Sequence, residues 1–128
     1  MNRNTLQREI VYNAVNTLTT HPTPDEIFEF INKKYPSISR STVYRNLNIL
    51  ADNGDILKVM IPDGADRYDF NTTSHYHIVC DECGRVDDIE AKTNERLVDE
   101  VSDSFGYKVK GFTAVFFGTC PECNKKHQ

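Results

Sequence analysis

Apolar residues recur at intervals of three and four positions in three segments of the first half of the chain. This spacing places them on one face of a helix, so each segment is predicted to be an amphipathic helix with that face buried. The three predicted apolar faces consist of Ile10, Val11, Ala14, Val15 and Leu18; of Ile27, Phe30 and Ile31; and of Val43, Leu47 and Leu50.

Residues suited to helix ends stand where these helices should begin and stop. Asn4 is predicted to cap the first helix. The sequence Thr23-Pro24-Asp25-Glu26 matches a capping box with proline at the first helical position. Ser39 is predicted to cap the third helix, and Gly54 fits the position just past its end.

A strand pattern follows the third helix. Residues 56–61 and 66–70 flank the turn sequence Pro62-Asp63-Gly64-Ala65, which predicts a β-hairpin. Three helices followed by a hairpin indicate an N-terminal winged helix-turn-helix over residues 1–70. The polar segment 71–74 is interpreted as a linker.

Residues 75–128 are predicted to form a small α/β domain, which makes the whole chain α+β. The expected elements are strands at His77 to Cys80 and Val86 to Ile89, a helix from about Thr93 to Phe105, and a strand from Tyr107 to about Phe117. A domain this small buries little surface by itself and usually needs a metal or a partner subunit. We therefore expect a dimerisation domain.

All four cysteines stand in two pairs, Cys80 with Cys83 and Cys120 with Cys123. Two residues between thiolates let one turn present both sulfurs to a tetrahedral ion, so the two pairs predict a closed structural Zn²⁺ site. Two disulfides and a redox dithiol are the alternatives. The chain opens without an apolar signal segment, which favours a reducing, cytoplasmic location over disulfides. A redox pair usually stands alone at the start of a helix.

Charge is distributed unevenly along the 128 residues, whose formal net charge is −4. Residues 1–54 hold 6 Lys/Arg against 5 Asp/Glu, whereas residues 55–128 hold 9 against 14. The negative balance therefore lies in the half with the cysteines, where bound cations would offset part of it, and it does not exclude nucleic acid from the first half. No apolar run approaches the roughly 20 residues of a membrane span.

The third helix carries a polar face suited to DNA. Arginine can donate to guanine O6 and N7, and tyrosine can contact phosphate or a thymine methyl. A solvated helix face is the alternative, but the hairpin directly after the helix favours a recognition helix with a wing. One such helix contacts few bases, so a homodimer on palindromic double-stranded DNA is expected. The candidate contacts are Arg40, Ser41, Tyr44, Arg45 and Asn48.

A second set of candidate metal ligands surrounds the first cysteine pair. His75 and His77 alternate as in a strand, so both imidazoles should face the same side. Asp69 precedes them and Asp88 follows them, whereas Asp87 should point the other way. A surface strand is the alternative. Nitrogen and oxygen ligands suit Fe²⁺ or Mn²⁺ better than soft ions.

The chain resembles the ferric uptake regulator (Fur) family of bacterial metal-dependent repressors over nearly its whole length. The motifs that carry the resemblance are Thr5-Leu6-Gln7-Arg8, His21-Pro22-Thr23, Ser41-Thr42-Val43-Tyr44-Arg45-Asn46-Leu47, Arg67-Tyr68-Asp69-Phe70, His75-Tyr76-His77-x-x-Cys80-x-x-Cys83-Gly84 and Cys120-Pro121-x-Cys123. The resemblance implies a DNA-binding repressor that is not an enzyme and takes no small organic substrate. It assigns a regulatory Fe²⁺ or Mn²⁺ to His21, Asp69, His75, His77 and Asp88.

Within the family, the chain looks most like the peroxide-sensing branch. Both carboxylate ligands are aspartates, and no cysteine remains for the regulatory site beyond the zinc four. The resemblance implies that Fe²⁺ and peroxide oxidise His21 or His75, which releases the DNA. Arg45 departs from the pattern, because it resembles iron- and zinc-responsive members. The alternatives are an iron- or manganese-responsive repressor without peroxide chemistry, or a His/Asp metalloenzyme.

Overall fold

The computed structural model describes residues 2–73, 75–90, 96–101 and 104–127. The chain divides into two units, Met1–Thr73 and Ser74–Gln128. The division falls within the segment 71–74 that the sequence suggests as a linker. Helices form most of the first unit, and a three-stranded sheet is the centre of the second, so the predicted α+β class is confirmed.

The first unit consists of three helices and a hairpin. They are α1 (Arg3–Thr17), α2 (Pro24–Asn32), α3 (Arg40–Asp52), β1 (Leu57–Val59) and β2 (Arg67–Asp69). The strands pair antiparallel with Lys58 opposite Tyr68. They are shorter than the predicted 56–61 and 66–70. Met60, directly after β1, is 64% exposed, and Pro62 has no N–H group to add to the ladder.

The helix caps explain where each helix begins. The Asn2 side chain accepts a 2.8 Å hydrogen bond from the N–H of Thr5, so α1 begins at Arg3 and the prediction that Asn4 caps it is wrong. Thr23 and Glu26 form the predicted capping box of α2, with both reciprocal hydrogen bonds present. Ser39 caps α3 as predicted, and Gly54 follows that helix with φ at 81°.

The core of the first unit lies among the three helices and the hairpin. It combines most residues of the predicted apolar faces with residues of the hairpin and of the loop before α3. Phe30 is 39% exposed, so the prediction that it faces inward is wrong. Complete burial of a valine, leucine or isoleucine side chain stabilises the fold by roughly 1.5–3 kcal/mol. The buried cluster is Val11, Ala14, Val15, Ile27, Ile31, Ile38, Val43, Leu47, Leu50, Ile56 and Tyr68.

The second unit is built on a sheet with strand order β4-β3-β5. Its strands are β3 (Tyr76–Cys80), β4 (Val86–Ile89) and β5 (Val115–Gly118), and its helices are α4 (Arg96–Val101) and α5 (Pro121–Lys125). β3 pairs antiparallel with β4 and parallel with β5. None of the helices in the described part of the chain has the length and apolar character that a membrane span requires.

Two predictions for the second unit need correction. The last strand does not run from Tyr107, because β3 begins at Tyr76 and pairs His77 with Val115, so earlier residues have no ladder partner. The helix predicted from about Thr93 appears as Arg96–Val101, and residues 93–95 and 102–103 lie outside the described part of the chain. Phe105, the predicted last residue, has φ at 54°, which is not helical.

Candidate metal centres and nucleic-acid face

The four cysteines converge in the second unit. Their Sγ atoms all lie within 4.8 Å of one another, and the Sγ atoms of Cys83 and Cys120 are 3.8 Å apart. A tetrahedral ion with Zn–S distances of about 2.3 Å separates its sulfurs by about 3.8 Å. Cys80 and Cys123 are buried, and all four thiols are free. The cluster therefore fits a zinc ion and is not a pair of disulfides.

Local backbone structure places each cysteine pair. Cys80 ends β3, and the turn after it closes through Gly84, whose φ is 78° and whose N–H donates to the carbonyl of Cys80 at 3.0 Å. Cys120 is the N-cap of α5, where its sulfur accepts from the N–H of Cys123 at 3.5 Å. One pair thus lies on a turn and the other at the start of a short helix.

The thiols differ in acidity before any metal binds. Backbone N–H groups of Cys83 and Cys120 lower the pKa of Cys80 to about 6, because they stabilise its thiolate. The N–H of Cys123 acts to lower the pKa of Cys120, but burial and the thiols of Cys80 and Cys83 outweigh it and raise that pKa. The thiol of Cys120, followed by burial, raises the pKa of Cys123. Of these three thiols, Cys80 therefore ionises most readily.

Polar contacts that the sequence pattern does not predict hold the two cysteine segments together. The guanidinium of Arg85 lies 2.6 Å from Asp87 Oδ2 and 2.5 Å from Glu122 Oε2. His127 Nε2 is 2.6 Å from Glu82 Oε1. The contacts with Glu122 and with His127 join residues 37 and 45 positions apart, and no spacing rule relates such partners.

In the first unit, His21 and Asp69 form a buried pair. His21 Nε2 lies 3.2 Å from Asp69 Oδ2, and the two residues are 8% and 4% exposed. His21 has φ at 58°, a left-handed conformation that is rare for a histidine. Arg67 Nη1 donates to the carbonyl of His21 at 3.1 Å, and the N–H of Tyr68 donates to the carbonyl of Pro22 at 2.9 Å. The strand with Asp69 thus fixes the loop that carries His21.

In the second unit, His75, His77 and Asp88 lie close together. His75 Nε2 and His77 Nε2 lie 3.0 and 3.4 Å from the same Asp88 oxygen, Oδ1, and the two rings are 4.4 Å apart. The antiparallel register places His77 opposite Asp88. Asp87 contacts Arg85 instead. Imidazole nitrogens and carboxylate oxygens in both clusters suit Fe²⁺ or Mn²⁺.

The exposed side of α3 carries the residues suggested for DNA contact. Arg40, Ser41, Arg45 and Asn48 are exposed, and Tyr44 is partly buried. The Arg40 guanidinium and the Tyr44 hydroxyl both contact Asp25 of α2. In the sequence, Asp25 stands out only as a member of the capping box, and no pattern there relates it to Arg40 or Tyr44.

The chain is similar to regulators of known type over most of its length. The model of the ferric uptake regulator family matches residues 2–116. The peroxide-responsive repressor PerR of Staphylococcus aureus is 35% identical over 127 residues, which cover 97% of this chain and 84% of that protein. The peroxide stress regulator of Campylobacter jejuni superposes with a TM-score of 0.73 at 30% identity, covering 94% of this chain and 91% of that one.

A second solved structure agrees. The ferric uptake regulator Fur of Helicobacter pylori, described as having three functional metal binding sites, superposes with a TM-score of 0.76 at 30% identity. It covers 93% of this chain and 80% of that one. On the family match and these similarities, together with the metal-ligand clusters described above, the chain belongs to the ferric uptake regulator family.

Proposed function

We propose that this protein is a metal-dependent, DNA-binding transcriptional repressor that senses peroxide. The observation that carries the proposal is the chemistry of its two His/Asp clusters, in which aspartate is the only carboxylate and cysteine is absent. The similarity to a peroxide-responsive repressor supports the same branch of the family. The protein is a regulator and not an enzyme.

Cys80, Cys83, Cys120 and Cys123 hold the structural Zn²⁺. The sulfur separations support this assignment, and so does the lowered pKa of Cys80, since zinc binds thiolates. With four sulfur ligands the ion has no open position, so it stabilises the second unit and takes no part in sensing.

His21, Asp69, His75, His77 and Asp88 hold the regulatory Fe²⁺ or Mn²⁺. Each unit contributes a prearranged part of the ligand set: one His/Asp pair in the first, and two imidazoles around one carboxylate in the second. One ion bound by both parts would restrict the movement of the DNA-binding unit relative to the other unit. The metal favours the DNA-binding form only to the extent that it binds this form more tightly than the form that does not bind DNA.

The exposed face of α3 binds the operator, with Arg40, Ser41, Tyr44, Arg45 and Asn48 as contacts. The hairpin after α3 supports a winged-helix arrangement, and the first half of the chain lacks the acidic excess of the second. Two copies of the chain, joined through their second units, place two such helices on a palindromic site. Such a repressor acts in the cytoplasm, where its operator lies.

Two histidines are the targets of oxidation in the peroxide response. Fe²⁺ held by these residues would activate peroxide so that one of its oxygen atoms is inserted into a C–H bond of a neighbouring imidazole. The ring would lose two electrons, and the second peroxide oxygen would leave as water. His21 and His75 are ligands from different units, so modification of either weakens the metal site and releases the DNA. Mn²⁺ supports repression without this oxidation. The change consumes the sensor and involves no turnover.

Mass spectrometry tests the proposal directly. We load the protein with Fe²⁺ or with Mn²⁺, add dilute peroxide, and search the peptides for one added oxygen atom. The expected result is modification of His21 or His75 with iron, none with manganese, and parallel loss of DNA binding. His127 is an internal control because it contacts Glu82 beside the cysteine cluster and stays unmodified.

The same experiment separates the second candidate function. Arg45 favours the alternative of an iron- or manganese-responsive repressor without peroxide chemistry, because this residue resembles iron-responsive members of the family. Unmodified His21 and His75 with intact DNA binding after iron and peroxide would support that function and refute peroxide sensing. A protein that binds no DNA with any metal would instead point to a metalloenzyme.

A further inference from the structure

The DNA-facing side of the first unit contains a contact that the proposed function does not use. Asp25, in the first turn of α2, accepts hydrogen bonds from the Arg40 guanidinium and from the Tyr44 hydroxyl. Arg40 Nη1 also lies 3.4 Å from the Tyr44 hydroxyl, and its guanidinium stacks 4.5 Å from the centre of the Phe28 ring. Three contacts from two helices thus fix one arginine side chain on the surface.

The positions of these residues suit contact with bases. Arg40 is the first residue of α3, and Tyr44 lies one turn later on the same face. Recognition helices contact base edges chiefly with residues near their N-termini. The contacts to Asp25 and Tyr44 use only Nη1, and a guanidinium carries further N–H groups on Nε and Nη2. Arg40 can therefore keep its contact with Asp25 and still donate to a base.

The charge of Asp25 limits which acceptor Arg40 can take. Asp25 lies in the first turn of α2, where the helix dipole stabilises an anionic side chain. A DNA phosphate that approached Arg40 would meet this carboxylate at close range and be repelled. The neutral acceptors of a base edge carry no such penalty. Repulsion of the wrong partner is a recognised source of specificity.

We propose that Asp25 is a specificity-determining residue that positions Arg40 for a base and prevents it from acting as a general phosphate contact. The proposal rests on the DNA-binding function proposed above. Asp25 is a positioning residue, since it acts through Arg40 and Tyr44. Its side chain is 65% exposed, so its replacement should leave the fold intact.

The experiment compares two DNA probes. The first is a palindromic duplex enriched from a random-sequence library by the Mn²⁺-loaded wild type, and the second is a scrambled duplex of the same length and composition. For Asp25→Asn we expect weaker binding of the enriched duplex and tighter binding of the scrambled one. The ratio of the affinity for the enriched duplex to the affinity for the scrambled duplex should therefore fall at least about tenfold. For the scrambled duplex, the slope of log affinity against log salt concentration should steepen by the amount expected for about one additional phosphate contact.

Glu29→Gln is the matched control. It removes the same charge from the same helix, and Glu29 also influences Arg40 electrostatically. A charge effect alone changes the affinity for both probes by a similar factor and leaves the ratio unchanged. In an Arg40→Ala background, Asp25→Asn should no longer change the ratio, because the group that it positions is absent.

Each outcome decides the proposal. A ratio for Asp25→Asn that equals that of Glu29→Gln would overturn it, and so would an undiminished effect in the Arg40→Ala background. A wild-type protein that enriches no DNA sequence would refute the proposed function, and the role of Asp25 with it. The role of Asp25 alone would be refuted if the wild type enriched a palindrome and Asp25→Asn selected the same bases with the same preference at each position.

Discussion

His77 lies directly opposite Asp88 in the antiparallel pair of β3 and β4, with its Nε2 3.4 Å from Asp88 Oδ1. The next residue toward the start of β4, Asp87, is paired with Ile78 and forms a 2.6 Å contact with Arg85. Successive side chains of a strand point to opposite faces. Two adjacent aspartates therefore have different surroundings, and only Asp88 lies with the histidines.

Asp88→Asn should abolish the metal dependence of DNA binding, whereas Asp87→Asn should preserve it. The first change replaces a carboxylate that both histidines approach with a neutral amide, and Mn²⁺ affinity should fall at least about tenfold. The second removes the same charge from the neighbouring position. Calorimetric titration with Mn²⁺ and operator binding with and without the metal measure both effects. Equal losses in the two variants would show that Asp88 acts only through its charge.

Arg45→Ala should weaken binding to the enriched operator by about 1–3 kcal/mol and relax the preference at one base pair. Arg45 is exposed on α3 and is a candidate for a bidentate contact to guanine. Arg45→Lys is the control, because it keeps the charge but loses the two-pronged donor geometry. Competition binding with each single-base variant of the operator locates the affected position. If Arg45→Ala weakened binding to every single-base variant by the same factor, Arg45 would be a phosphate contact.

Zinc binding by the metal-free protein should release protons and strengthen as pH rises. Cys80 has a pKa of about 6 and is already a thiolate at neutral pH, whereas the raised pKa values of Cys120 and Cys123 leave these thiols protonated. The ion must displace protons from at least these two thiols, so its affinity should rise at least about a hundredfold per pH unit near neutrality. The dependence should steepen below about pH 6, where Cys80 also takes up a proton.

Competition with a zinc chelator across this pH range, corrected for the pH dependence of the chelator, measures the effect. Calorimetry in buffers of different ionisation enthalpy counts the released protons independently. The metal-free protein must be kept under a reducing agent, because its four thiols are free. An affinity for zinc that does not change between about pH 6.5 and 8 would contradict the assigned acidities.

Local sequence rules predicted much of this fold because its elements depend on neighbouring residues. The capping box at Thr23, the cap at Ser39 and the strand at Val86–Ile89 all follow from side chains within a few positions. The register of β3 with β5 could not be predicted in the same way. It depends on where a distant strand begins, and the length of β5 is limited by Tyr76 at the start of β3.

Within the candidate sites, too, the contacts that follow from local spacing were predictable and those between distant residues were not. The spacing of the cysteines predicts their convergence, since each pair is local and a tetrahedral ion explains why two pairs meet. The contact of Asp25 with Arg40 joins residues 15 positions apart on two helices, and the contact of Arg67 with the His21 carbonyl joins residues 46 apart. Such contacts depend on how helices and strands pack, which no periodic pattern encodes.

Phe117→Asp should convert the proposed dimer into monomers and weaken binding to a palindromic operator. Phe117 is 80% exposed on β5, and exposed apolar residues of the second unit also include Phe105, Tyr107, Phe112 and Phe116. Exposed apolar side chains of this size are typical of a protein interface, and a charge buried within such an interface would oppose association. Met60→Asp, at a 64% exposed apolar position of the first unit, is the control for oligomeric state. Sedimentation velocity measures the oligomeric state of both variants, and a Phe117→Asp protein that remains dimeric would place the interface on another surface.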